Sequence, residues 1–322
     1  MSPDQRPDHA GRPGEPDHTV HTDPAALTEL TEAARREQPE HAPSGAVLGY
    51  QPGRTVRFRV ELRRQLSRRR TVWILALAVL LPFVLVGAFE LGDEGEGGPS
   101  GGIVDLATTS APNFVIFTLF VSISFLLPMI VALFFGDTIA SEASWSSLKY
   151  LLAIPVPRHR LVRQKALVAS ALSVLTLLVL PGTALGAGLA FYGAGQAVRP
   201  TGDAIAFDTS LVSLLLAICY IIVQLSWVAG LALLLSVLTD APLGAVGGTV
   251  LAAILSQILD QITALGDLRA FLPTHHATAW LDLIATDIAW TDVASGTLIS
   301  LCYATVLGLI AARVFSTKDI TS

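Results

Sequence analysis

Few side chains in this chain could carry chemistry. Gln224, Gln257, Asp260 and Gln261 interrupt otherwise apolar runs. In hydrocarbon such groups mark hydrogen bonds between helices, contact with water, or a place where a solute binds. His275 and His276, with Asp282 nearby in sequence, are of metal-ligating types. Neighbouring side chains on a helix point apart, however, so adjacent histidines chelate poorly. Cys219 and Cys302 lie in apolar runs with no CxxC spacing and no flanking histidine, which makes them small packing residues. The glycines of LGDEGEGGPSGG, residues 91–102, follow no strand and precede no GK[ST], so they form a flexible loop and no phosphate cradle. No HExxH, GxxxxGK[ST] or dinucleotide fingerprint occurs in the chain, and no GxSxG stands on a strand-to-helix elbow. If ATP drives this protein, hydrolysis takes place on another polypeptide.

One polar segment has a pattern that suggests recognition. Residues 136–167 read GDTIASEASWSSLKYLLAIPVPRHRLVRQKAL. The spacing predicts an amphipathic helix from Ser141 to Leu152, stopped by Pro155 and Pro157. Its apolar face, Trp145, Leu148, Leu151 and Leu152, needs either a groove on a partner protein or the lipid interface.

The elements that position these residues are read from hydropathy. Of 322 residues 52% are hydrophobic and 15% charged, against about 25% charged in soluble domains. The mean hydropathy is +0.59. Six apolar runs of membrane-spanning length follow one another: Val72–Phe89, Phe114–Phe135, Ala166–Phe191, Leu211–Leu238, Leu243–Leu265 and Ala294–Phe315. Pro82 and Pro128 interrupt the first two and require neighbouring helices to take up the freed carbonyls. Gly182 and Gly186, and again Gly244 and Gly248, have the spacing that lets helices approach closely. Ahead of the first run, RTVRFRVELRRQLSRRR places Phe58, Leu62 and Leu66 on one helical face, and a helix lying on the membrane surface is predicted. A solvated basic linker is the alternative, and either form sets arginines against anionic headgroups. Residues 1–52, rich in Pro, Asp, Glu, His and Gly, are expected to be a disordered tail, leaving 53–322 as the membrane domain. Between Phe271 and Trp290 a short re-entrant or interfacial helix is expected, with Trp280 and Trp290 at headgroup level. The fold class is therefore all-α integral membrane, with six transmembrane helices, an interfacial helix and a helix in the first polar loop.

Charge orients the chain. Eight arginines between Arg54 and Arg70, then Lys149, Arg158, Arg160, Arg163 and Lys165, and finally Arg313 and Lys318, fall on one side. The loops of the other side hold Arg199 and Arg269 against ten carboxylates from Asp93 to Asp292. Retention of Lys and Arg in the cytosol places both termini there.

The segment 136–167 resembles the signature of type-2 ABC exporter permeases. In that family an acidic residue, a Gly-Thr-Leu-like step, a double leucine, a Pro-x-x-Arg and a basic residue precede the third helix. Glu142, Ser146-Ser147-Leu148, Leu151-Leu152, Pro155, Arg158 and Lys165 match these positions, with Ser146 where glycine is usual and Ser147 in place of threonine. LPTHHATAWLDL and RVFSTKDITS, on either side of the last helix, are similar to bacterial members. The resemblance implies a permease subunit in the bacterial cytoplasmic membrane, working with a second permease copy or paralogue and with separate ABC ATPase subunits. ATP and Mg would be bound by those partners and no cofactor by this chain. Membrane lipids are the other expected partner, and nucleic acid is not expected. The resemblance further implies ATPase coupling through Glu142, Trp145, Leu148, Leu151, Leu152 and Arg158. A stand-alone six-helix transporter or channel would favour an inverted repeat, and no convincing repeat is seen in the sequence.

Overall fold

The structure, a computed structural model, describes residues 58–92, 103–144, 158–198, 204–285 and 288–317. The tail 1–52, the residues 145–157 that hold most of the expected loop helix, and the last residues after Thr317 lie outside them. The described chain is almost wholly helical. Helix α1, Phe58–Leu66, breaks at Ser67 and Arg68 and is followed by α2, Arg69–Gly92. After a short α3, Ile103–Ala107, come α4, Ala111–Ile123, and α5, Leu126–Ser144. Next are α6, Arg158–Phe191, a two-residue antiparallel ribbon of β1, Ala197–Val198, and β2, Ala204–Ile205, then α7, Phe207–Gln224, and α8, Ser226–Leu238. Helix α9, Pro242–Asp260, and α10, Trp290–Thr317, complete the bundle. Helices α2, α6, α9 and α10, and α7 with α8 taken together, make five helices long and apolar enough to cross a membrane; the pair α4 and α5, bent by 57°, makes the sixth. Helix α1 forms where the helical reading of its sequence places it, with Leu62 and Leu66 partly buried against the core.

The bends have a chemical cause. Pro128 has no N–H to give the carbonyl of Ser124, and the chain breaks between α4 and α5 at that point. Gln257 of α9 supplies the missing donor, its Nε2 lying 2.7 Å from the Ser124 oxygen. Pro82 likewise frees the carbonyl of Ala78 in α2, and Thr183 Oγ1 of α6 donates to it at 3.3 Å. Both repairs come from a neighbouring span, as hydrocarbon demands.

Helix α5 lies at the centre, packed on α6, α8 and α9, while α2 and α4 pack on α6 and α10 on α8. Small residues permit the closest approaches. A Cβ on Gly136 would lie 2.9 Å from Val246 of α9, one on Gly230 3.0 Å from the Cα of Ala304 in α10, and one on Gly188 2.8 Å from the Cα of Ala111. The predicted Gly182/Gly186 pair is not a packing seam among the described residues, because both glycines face away from neighbouring helices. Gly188, two residues further and so on the opposite face of α6, makes the close contact instead. Outward-facing Trp73, Leu80, Leu298 and Leu309 leave a broad apolar belt on α2 and α10, suited to hydrocarbon rather than water.

Two glycines on opposite faces of α6 test this packing. Gly188→Ala pushes a methyl group against backbone and should destabilise the protein by about 1–3 kcal/mol. Gly186→Ala meets open space and should be neutral or stabilising by up to about 1 kcal/mol, through helix propensity. Denaturation of the two purified variants in detergent measures both.

Candidate functional site

The loop 145–157 leaves the end of α5 and returns as α6, so the ends of those two helices set its geometry. The polar residues 136–144 continue α5 rather than beginning a separate loop helix, and Glu142 therefore lies in the last turn of a spanning helix. Its side chain is buried and ion-paired, with Oε1 2.5 Å from Lys165 Nζ of α6, itself buried. Arg64 of α1 reaches the same oxygen at 3.5 Å and holds Glu61 at 3.3 Å. Asp137 makes a second junction, accepting from Arg70 and from Arg68, the latter at 3.5 Å. Burial, and then the guanidinium groups of Arg70 and Arg64, push Arg68 below the ordinary arginine value, and Asp137 opposes that shift. Ser236 of α8 completes the brace, its Oγ accepting from the backbone N–H groups of Ile139 and Ala140 at 3.0 Å each. The base of the loop is thus tied to α1, α2, α6 and α8 by charge and hydrogen bonds in a largely buried setting, where such pairs hold geometry well.

Of the residues expected to couple, Glu142 is at this base and Arg158 opens α6. Trp145, Leu148, Leu151 and Leu152 lie outside the described residues. The residues that sequence reasoning missed are Asp137, Arg64, Arg68 and Arg70. An acidic residue at the boundary of an apolar run, facing a basic segment, was the available signal.

The polar residues within the spans are explained by structure. Gln224, 2% exposed, donates to the Pro273 carbonyl at 2.6 Å and accepts from Ser300 Oγ at 2.6 Å. It lies beside Leu225, where α7 gives way to α8. Gln257 serves the Ser124 carbonyl. Asp260 ends α9, with Oδ1 2.5 Å from His275 Nδ1. Gln261 caps the same helix and is exposed. At this opposite end of the bundle residues 263–285 hold two 3-10 helices, Thr263–Phe271 and Ala279–Ile284, the second within the stretch Phe271–Trp290 where a short helix was expected. Among the described residues no group of three or more His, Cys, Asp or Glu side chains is arranged to hold a metal ion.

Multiple apolar spans, proline sites repaired between helices and a charged base under one polar loop define a multi-pass membrane protein. Residues 61–256, more than half of the chain, match the family described as ABC-2 family transporter proteins, and the chain belongs to that family. No curated protein sequence matches it.

Lys165→Met removes the nearest cation that the described residues offer to the buried Glu142 carboxylate. The variant should lose about 3 kcal/mol of stability. Combining it with Glu142→Gln should restore part of that loss, as read from a double-mutant cycle of unfolding free energies.

Proposed function

We propose that this chain is the membrane subunit of an ATP-driven exporter, moved by a separate ABC ATPase that docks on the loop 145–157. The observation that supports this reading best is the brace beneath that loop. A flexible polar connection would transmit little force to the spans. One whose two roots are joined by Glu142 and Lys165, and whose first root is tied to α1 by Arg64, to the α1–α2 break by Arg68 and to α2 by Arg70, moves α5 and α6 together. In this arrangement Trp145, Leu148, Leu151 and Leu152 supply the apolar face that enters a cleft on the ATPase. Arg158 acts at the entry to α6, and Glu142 holds the loop's root in place. ATP and Mg are bound by the partner, and a second permease copy or paralogue completes the pathway.

The positive charge at the braced end supports a cytosolic position for that end and for both termini, in the cytoplasmic membrane of a bacterium. The segment 263–285 then faces outward. The few charged groups on the spans favour hydrophobic or amphipathic cargo. Family membership supports permease function, and the orientation and direction of transport are part of this proposal.

Glu142→Ala combined with Arg158→Ala should weaken co-purification of the ATPase encoded with this permease while membrane insertion is unchanged. Undiminished recovery of the ATPase would remove the coupling role from these residues.

A further inference from the structure

The segment 263–285 closes one end of the bundle and is strapped to three spans. From α7, Tyr220 Oη donates to the His276 carbonyl at 2.7 Å and Gln224 bonds the Pro273 carbonyl. From α9, Ser256 Oγ and Thr274 Oγ1 are 2.7 Å apart. From α10, Tyr303 Oη donates weakly to the Phe271 carbonyl at 3.3 Å. Trp280, fully buried, anchors the far half of the segment. Four of these straps are uncharged and insensitive to pH near neutrality. Two further contacts involve imidazoles.

His275 and His276 have ring centroids 4.9 Å apart at 82°, and each faces a carboxylate on a different span. His275 Nδ1 is 2.5 Å from Asp260 at the end of α9, and His276 Nδ1 is 3.9 Å from Asp292 in the first turn of α10. The His276 side chain is 11% exposed and Asp292 60% exposed, so the imidazole is enclosed while its carboxylate is largely in solvent. Gly296 of α10 lies directly beneath, because a Cβ there would collide with the Tyr220 hydroxyl and lie 2.7 Å from the His276 Cβ. The His276 Cβ is thus packed closely against α10.

We propose that His275 and His276 form a pH-responsive latch, which holds segment 263–285 on the ends of α9 and α10 and loosens it when His276 takes up a proton. The groups facing His276 are His275 within the segment, Asp260 from α9, Asp292 from α10 and the neutral Tyr220 phenol from α7, with Asp282 further along the segment. Burial first, and then His275, lower the His276 pKa from the ordinary histidine value, while Asp292 and Asp260 oppose them. A histidine with a depressed pKa in the closed form contributes stability that is present above its ordinary value of about 6.5 and is lost as pH falls through the depressed one. Acid therefore opens the segment, and neutral pH closes it. Because opening and closing of a segment over one end of a transporter can gate passage, the latch gives that end a response to local acidity.

Amide hydrogen exchange of the full-length chain in lipid nanodiscs, corrected for intrinsic exchange rates, tests the latch at about pH 7.5 and about pH 5.5. Opening of residues 263–285 should rise at least ~3-fold at the lower pH while the central spans α5 and α8 keep their protection. His276→Gln should remove the rise. Asp292→Asn, at an exposed position that tolerates the change, should enlarge it, because the carboxylate's stabilisation of the protonated imidazole is lost. The latch is overturned if the segment's protection does not change with pH, if His276→Gln keeps the wild-type response, or if Asp292→Asn leaves the rise unchanged or smaller. It is equally overturned if α5 and α8 open together with the segment.

Discussion

A carboxylate at the buried end of a membrane helix must be neutralised, and the arrangement of Glu142 with Lys165 governs much of what surrounds it. The pair joins α5 to α6 across the loop that separates them. Arg64 then brings α1 to the same oxygen, and Asp137 on the same helix binds the arginines where α1 gives way to α2. Breaking one member would weaken the compensation of a charge in a poorly solvated place, so the ion pairs tie the four elements together. A short helix such as α1 is marginal alone, and these ion pairs with the packing of Leu62 and Leu66 supply what its length does not.

Hydrocarbon imposes the second constraint. Each proline inside a span removes a donor, and at Pro82 and Pro128 the donor is restored by a side chain from another span, Thr183 or Gln257. Polar residues that look like candidates for substrate contact are in part structural repairs. Gln224 is the clearest case: both ends of its amide are used, one by the segment 263–285 and one by α10. This also explains why the two ends of the bundle differ. The basic end is held by charge, and the opposite end by hydrogen bonds of neutral groups together with two imidazoles.

The spans were legible because an apolar run of sufficient length has few alternatives to a membrane helix. So was the family, from Glu142, the double leucine, Pro155 and Lys165. The bend of the second span was half legible: Pro128 announced a lost hydrogen bond, but neither the position of the break nor the choice of Gln257 as the repairing donor can be read from one strand of sequence. The Gly182/Gly186 spacing identifies a smooth helical face without saying whether another helix of the same chain lies against it, and among the described residues none does. Asp137 was overlooked since its arginine partners are about seventy positions earlier. The segment 263–285 folds as 3-10 turns around a glycine of positive φ, Gly266, and has no hydrophobic period from which its contacts could be inferred.

The central claim is that force from a separate ATPase enters through the loop rooted at Glu142 and Lys165. A photo-crosslinking residue placed at position 148, in membranes that contain the permease and the ATPase encoded with it, measures this directly. A crosslink to the ATPase subunit whose yield changes on addition of ATP is the predicted result. Crosslinks to lipid alone, or a yield to the ATPase no greater than from a position on the opposite end of the bundle, would contradict it.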